Sequence, residues 1–568
     1  MLRPFRSRWL LLGLPMLAGC TASILGDPSG SSSDAPGTTA GSNGAQAGNA
    51  ATGGGPGVAP QLAPQAVPKL LRVSNEEYRN IVADVLGVEP DEQLFASWTP
   101  IAQVYGFDTM SESRVDAQGL DIQTQTAEAL AKLALEASPL AAVCPAPLRP
   151  EAPAAGTSLS WDNCGQPLVT KLASRAFRRP LRADELAGYR SLFETSQAEA
   201  ATALMPHPFY EGLTTVVQAV VLSPQLVFKP ELVPGGFDAG ERGYARASKL
   251  SLFFRSSVAD DELLGLAQSG ALEDMAQVRA QAERLLGQYQ ARFTRNFGGQ
   301  WLDFREPVSE PTSLMLAMQQ EVGSVFDQVL SSDSAPQRLI APGAAIVNQE
   351  LAAHYGLAFD AAGPPVQTIA TDRRGGLLSH GFFLTRTATG SEFRRVIHRG
   401  LWTLTRLLCK SLPRLDPATL DEITESFKAI DRNLPLSEQM RIHRSSSMRC
   451  LGCHAEMDPI GLALENYDAK GLWRDSYENG TPIVSDLQLY GQDVGDPMAL
   501  AVAVEGSEDY RACVANKALT FALNRGPTDG ELLLAKAMTE PVAGVSPSFK
   551  SIVVEAFMKS IELTEVTP

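Results

Sequence analysis

Along most of the chain, apolar residues recur at the three- and four-residue spacing of an α-helix. Ser74 and Glu77 form a capping-box pattern, apolar residues follow at helical spacing, and Gly87 is placed to end the helix. The same periodicity recurs near residues 168–176, 186–193, 263–266, 285–297, 322–330, 513–523 and 552–561. Alternating stretches are few, and the clearest are 481–484 and 487–490. The pattern therefore predicts a mainly α-helical body with a small β element.

The start of the chain has the pattern of a bacterial export signal. A basic region is followed by a short apolar run and by small residues, which predicts a signal peptide over residues 1–19. The segment Leu17 to Cys20 resembles the lipobox of bacterial lipoproteins, whose cysteine is acylated. Acyl chains on Cys20 would hold the protein at a membrane. Because Thr21 follows, and not Asp, the resemblance favours the outer membrane, with the body facing the periplasm or the cell surface.

Composition separates a linker from the folded body. Residues 20–68 consist largely of Gly, Ser, Ala, Thr, Asn and Pro, which cannot bury enough apolar surface to offset chain entropy, so they are predicted to be a flexible tether. The whole chain is 44% hydrophobic and 568 residues long, enough for several domains. Its formal net charge of -16, without a local basic patch, argues against a nucleic-acid partner.

The sequence Cys450-Leu451-Gly452-Cys453-His454 is a Cys-x-x-Cys-His motif. Two thiols three residues apart on a helical turn can add to the two vinyl groups of a haem, and the adjacent imidazole can ligate the iron. The motif therefore predicts one covalent haem c on Cys450 and Cys453, with His454 as the iron ligand. Export agrees with this prediction, because covalent haem attachment takes place outside the cytoplasm.

Three other interpretations of this motif were weighed. A zinc site would need a second pair of ligands, and the sequence offers no partner motif. A thioredoxin-like redox pair requires a βαβ setting, which the local pattern does not provide. A structural disulfide between Cys450 and Cys453 would leave His454 without a role.

The remaining cysteines predict two disulfides. With Cys20 assigned to lipid and the motif cysteines to haem, an even number is left for an oxidising compartment, and three pairings are possible. We favour Cys144–Cys164, which closes a short Pro-rich loop, and Cys409–Cys513, which would clamp the haem segment between flanking helices.

The second axial ligand is less well defined by the sequence. It must come from a segment that reaches the opposite face of the haem. Met498 has a suitable separation from the motif, and His398 and His380 are the competing candidates. Met457 lies on the same side of the iron as the motif histidine, and His443 lies in the segment leading into the attachment turn, so both are poorly placed. An open sixth position is the remaining alternative, and it would favour chemistry on a small ligand over electron transfer.

The block that follows the motif, residues 457–474, resembles the planctomycete-type cytochrome-c-containing family of large exported proteins with several domains of unknown function. Stretches in the same order resemble this family at 71–78, 175–181, 250–254, 260–264, 374–381, 398–400 and 524–526. The resemblance covers roughly residues 70–565 and implies a c-type cytochrome-like module at the C-terminal end of a helical body. It implies no established substrate. Arg474, within the block, suits either a haem propionate or a surface ion pair.

The predicted organisation and function follow from these features. After the tether we expect an N-terminal helical domain, a helical segment with a disulfide, a central helical domain, a haem-bearing domain and a C-terminal helical domain, over residues 69–140, 141–200, 201–335, 336–480 and 481–568. The leading hypothesis is a membrane-anchored c-type cytochrome-like protein that transfers electrons to an unidentified partner protein. The alternatives are a haem-dependent oxidoreductase with a substrate pocket in the helical body, and a surface-displayed binding protein with an ancillary haem.

Overall fold

A computed structural model describes most of the chain after residue 70. The described residues are 71–110, 116–137, 139–151, 158–229, 239–306, 311–412, 425, 428, 430–483 and 486–565. The predictions for the signal peptide, for Cys20 and for the tether lie outside them. None of the described helices is both long and apolar enough to cross a bilayer.

The described chain is mainly α-helical, as the sequence pattern predicts. In its first part the helices include Asn75–Leu86, Ala117–Ala137, Gln166–Ala176, Ala183–Thr202, Pro208–Val221, Pro224–Val227, Ala239–Arg255, Asp261–Gln268 and Met275–Gln288. They continue with Gln290–Phe293, Gly299–Trp301, Ser313–Ser331, Gln349–Tyr355, Gly381–Arg386, Glu392–Trp402, Leu436–Ser445, Met448–Ala463, Pro497–Gly506, Glu508–Leu523, Asp529–Ala537 and Phe549–Glu565. Short π-helical turns occur at Trp161–Gly165, Thr294–Gly298 and Thr403–Leu407.

The β structure is confined to small antiparallel pairs in the described residues. The predicted element near residue 487 is present as strand Gln488–Leu489 paired with Gln492–Asp493. In the predicted stretch 481–484, Pro482 forms an isolated bridge with Ser476. A second pair, Ala344–Asn348 with Val366–Ala370, was not predicted from the sequence.

Two apolar cores organise the fold. The N-terminal core is built mainly from side chains of residues 73–226, and the capping box of its first helix is confirmed, with Ser74 and Glu77 bonded reciprocally and Gly87 in the left-handed conformation. The C-terminal core gathers side chains mainly from residues 245–563, together with Phe107 and Met110, and is rich in stacked and edge-to-face aromatic rings. These cores do not test the predicted domain boundaries, which stay predictions.

A buried ion pair links the two parts of the molecule. Lys229 Nζ lies 2.9 Å from Glu77 Oε1, and both side chains are almost fully buried. The same ammonium donates to the Thr109 carbonyl at 3.0 Å and to Asn524 Oδ1 at 3.4 Å. Because a buried charge is costly unless it is paired, this lysine fixes the N-terminal helix against the end of helix Glu508–Leu523.

Both predicted disulfides are present. Cys144–Cys164 closes a loop within the N-terminal core, and Cys409–Cys513 joins two segments that are 104 residues apart. The pairing that the sequence favoured is therefore confirmed.

Candidate functional site

The motif cysteines lie in the first turns of helix Met448–Ala463, called here the attachment helix. Ser447 caps this helix, its hydroxyl accepting a hydrogen bond from the Cys450 amide at 3.1 Å. The hydroxyls of Ser446 and Ser447 also lie 3.4 Å and 3.2 Å from Cys450 Sγ. The serine pair therefore both starts the helix and surrounds the first motif sulfur with polar groups.

The attachment helix is held by close contact with helix Glu392–Trp402, called here the crossing helix. A Cβ atom added at Gly461 would overlap the Val396 carbonyl, and one added at Gly400 would overlap the Met457 carbonyl. Each helix thus supplies a glycine at the point where the other helix's backbone passes. Such contact leaves little freedom for the attachment helix to shift along its partner.

Buried charges fix the C-terminal end of the attachment helix. The Glu465 side chain is 0% exposed and accepts from Arg395 at 2.9 Å and 2.7 Å, from Arg474 at 2.8 Å and from Arg399 at 3.3 Å. Arg399 also donates to the carbonyls of residues 464, 467 and 468. Of the two sequence interpretations of Arg474, the structure supports the ion pair, although the pair is largely buried.

The two motif thiols are free and differ in exposure. Cys450 is buried, whereas Cys453 is partly exposed, and burial together with the neighbouring Cys450 raises the pKa of the Cys453 thiol. A Cβ atom added at Gly452 would meet nothing within 4 Å. Met448 and Leu451 are 82% and 39% exposed. The exposed residues Met448, Leu451 and Gly452 therefore lie on a different side of the helix from the buried Cys450.

His454 is oriented by a buried carboxylate one helical turn further on. Its Nδ1 lies 2.7 Å from Asp458 Oδ1, and the carboxylate, which is itself buried, also accepts from Arg444 at 3.2 Å. Because a carboxylate only accepts hydrogen bonds, Nδ1 of His454 is the donor, and in the neutral ring the lone pair is then on Nε2. This is the arrangement by which proteins orient a metal-ligating histidine and raise its basicity.

The structure also brings His443 to the motif histidine, which the sequence argument missed. His443 Nε2 lies 3.2 Å from His454 Nε2. Helix Leu436–Ser445, called here the preceding helix, ends two residues before the attachment helix begins, so the chain folds back and residues 11 positions apart meet. Burial and the adjacent His454 lower the pKa of His443 to about 4. Ser446 and Ser447, which lie between the helices, are the sequence feature that could have indicated this turn, because serine is favoured at helix N-caps.

The other predicted axial ligands have their own surroundings. His380 is buried, neither ring nitrogen has a hydrogen-bond partner, and burial lowers its pKa to about 3. His398 Nδ1 lies 3.0 Å from the Thr389 hydroxyl. Met498 is half-buried in the first turn of helix Pro497–Gly506. The assignment of an iron ligand to any of them stays a prediction.

A zinc site gains no support from the geometry. Over the described residues, no group of three or more His, Cys, Asp or Glu side chains is arranged to hold a metal ion. A haem requires only thiols for attachment and one or two axial ligands from the protein, and this is the set that residues 443–454 present.

Comparison with protein families finds three models that match in succession. They are described as proteins of unknown function: PSD5 (DUF1595) at residues 164–231, PSD4 (DUF1592) at 242–357 and PSCyt3 (DUF1588) at 374–477. The last match contains the motif, His443 and the crossing helix. No curated protein and no solved structure matches the chain significantly.

Proposed function

We propose that this chain is a c-type cytochrome-like protein that transfers electrons outside the cytoplasm. The proposal is supported by the chain's three consecutive matches to domains of the planctomycete cytochrome-c-associated family. The protein carries one haem c, attached through Cys450 and Cys453, with His454 as an axial ligand. The bound haem supplies a one-electron redox centre, and the protein's part is to hold it, orient it and shield it from water.

The observation that carries this proposal is the conjunction of two free thiols and an oriented imidazole at one helix start. The thiols lie on one turn of the attachment helix, where Cys450 is buried and Cys453 is partly exposed. His454 presents Nε2, because Asp458 holds Nδ1. These are the groups that covalent attachment and axial ligation require, and a structural disulfide would have consumed the two thiols.

The surrounding chain suits a redox centre that must stay in one position. The glycine contacts and the Glu465 cluster fix the attachment helix, and Ile460, Leu464 and Tyr467 beyond the motif are fully buried. A rigid, largely apolar setting limits reorganisation around the centre and favours a higher reduction potential.

Membrane attachment through acylated Cys20 completes the proposal. The lipid anchor and the tether over residues 20–68 would hold the body at the outer membrane, facing the periplasm or the cell surface. The partner is an unidentified redox protein, and the acidic net charge favours one with a basic docking surface and disfavours nucleic acid.

The test is maturation of the full chain in a host that attaches haem c. We expect a coloured protein whose mass includes one haem, and loss of covalent haem in the C450S/C453S double variant. The matched control is C144S/C164S, which removes two cysteines of the disulfide in the N-terminal core and should keep its haem. A colourless wild-type protein, or a double variant that stains for covalent haem as strongly as wild type, would overturn the proposal.

A further inference from the structure

A second buried imidazole faces the nitrogen that His454 offers to iron. The His443 side chain is 2% exposed, and its Nε2 lies 3.2 Å from His454 Nε2. The two rings are nearly perpendicular, at 82°, with their centroids 4.5 Å apart. The two Nε2 atoms thus lie within hydrogen-bond distance of each other between two helices.

The spacing of these nitrogens is close to that of two ligands on one metal ion. Bonds from imidazole nitrogen to a metal are about 2 Å long, so two such nitrogens on opposite sides of one ion lie about 4 Å apart. The observed separation is smaller by less than 1 Å. Two imidazoles on opposite sides of one ion have ring centroids about 6 Å apart, against 4.5 Å here, so haem binding requires the two rings to separate and turn. Rotation of the two side chains and the two-residue connection between the helices would supply this movement.

Both rings are supported from behind, as ligands in a redox site need to be. Asp458 of the attachment helix accepts from His454, and Arg444 of the preceding helix donates to the same carboxylate. His443 packs edge-to-face on Phe393 of the crossing helix, with ring centroids 5.8 Å apart, and Arg432 lies over the same phenyl ring. Three helices therefore converge on the pair, and its two members are held by different neighbours.

We propose that His443 is the second axial ligand of the haem, an inference that rests on the proposed function. Ligation by two imidazoles closes the sixth position of the iron and produces a low-spin centre. The protein would then be suited to electron transfer, and the alternative of chemistry on a small ligand at an open iron would lose its basis. Met498, His398 and His380 would have no part in ligation.

The first experiment uses the wild-type holoprotein. We expect a low-spin, six-coordinate absorption spectrum that does not change when carbon monoxide is added to the reduced protein. Near-infrared magnetic circular dichroism should show the signature of two imidazole ligands. A covalent haem that is high-spin, or one with an imidazole–thioether signature, would overturn the inference while leaving the proposed function intact. A wild-type protein without covalent haem would overturn both.

The second experiment uses variants of the ligand. His443→Ala should retain covalent haem, become high-spin, bind carbon monoxide, and return to low spin when imidazole is added. His443→Met preserves side-chain volume and should give an imidazole–thioether signature. The matched controls His380→Ala, His398→Ala and Met498→Ala should keep the wild-type spectrum. A wild-type spectrum in His443→Ala would overturn the inference, and where that variant does not fold, His443→Met and the wild-type signature decide.

Discussion

The two ends of the attachment helix are built in opposite ways. At the C-terminal end, Glu465 is fully buried among three arginines, and Gly461 lies against the backbone of the crossing helix. At the N-terminal end, Met448 is 82% exposed, Gly452 faces open space, and a serine hydroxyl caps the helix. The contrast indicates a helix that is anchored at one end and loosely packed at the other. Experiments that weaken each end separately test this division.

The largest effect is expected at the anchored end. Glu465→Ala leaves Arg395, Arg399 and Arg474 without the carboxylate that compensates their charge, and breaking a buried ion pair costs about 3–5 kcal/mol. Urea denaturation should report this loss in the free energy of unfolding. The matched control is Glu392→Ala, because Glu392 bonds two of the same arginines but its side chain is 47% exposed. We expect the control to lose less than about 1 kcal/mol, and equal losses would show that Glu465 is not the anchor.

This cluster also shows what the sequence could not provide. Arg395 and Arg399 are four residues apart on one helix and resemble a solvated charged face, while their partner lies 66 to 70 residues further on. Burial of Arg395, Arg399 and Glu465 depends on the crossing of two helices. That crossing depends on two glycines, whose role becomes visible only when the helices are placed. Long-range packing of this kind leaves no periodic signal in the chain.

Local chemistry, in contrast, was predictable. The capping box of helix Asn75–Leu86, the two disulfides and the helical turn that carries the motif cysteines all follow from short-range patterns or from counting cysteines. The sequence places His443 in the segment leading into the attachment turn, and its approach to His454 becomes visible only when the two helices are placed. The strands Ala344–Asn348 and Val366–Ala370 were missed because apolar and polar residues do not alternate regularly along either of them.

Two glycines of the attachment helix provide a test in which the expected change in unfolding free energy is intermediate. Gly461→Ala places a methyl group onto the Val396 carbonyl and should force the two helices apart, at a cost of about 1–3 kcal/mol. Gly452→Ala, nine residues earlier in the same helix, adds a methyl group where nothing lies within 4 Å. Because alanine favours a helix over glycine by up to about 1 kcal/mol, this control should be neutral or stabilising. Thermal or urea unfolding of the two variants side by side measures the difference, and a destabilised Gly452→Ala with a neutral Gly461→Ala would reverse our assignment of the two ends.

The smallest effect is expected at the open end, where the helix cap is the local support. Ser447→Ala removes the acceptor of the Cys450 amide and should cost about 1 kcal/mol in unfolding free energy. Ser391→Ala removes the corresponding cap of the crossing helix and should cost a similar amount. The two variants should differ in thiol chemistry, because fraying of the first turn exposes Cys450, whose sulfur also loses a hydroxyl neighbour. In the haem-free protein we therefore expect faster labelling of Cys450 in Ser447→Ala and unchanged labelling in Ser391→Ala. Equal labelling rates in both variants would mean that the first turn is held by contacts other than its cap. The loosely packed part of the helix would then begin nearer to Cys450 than we infer.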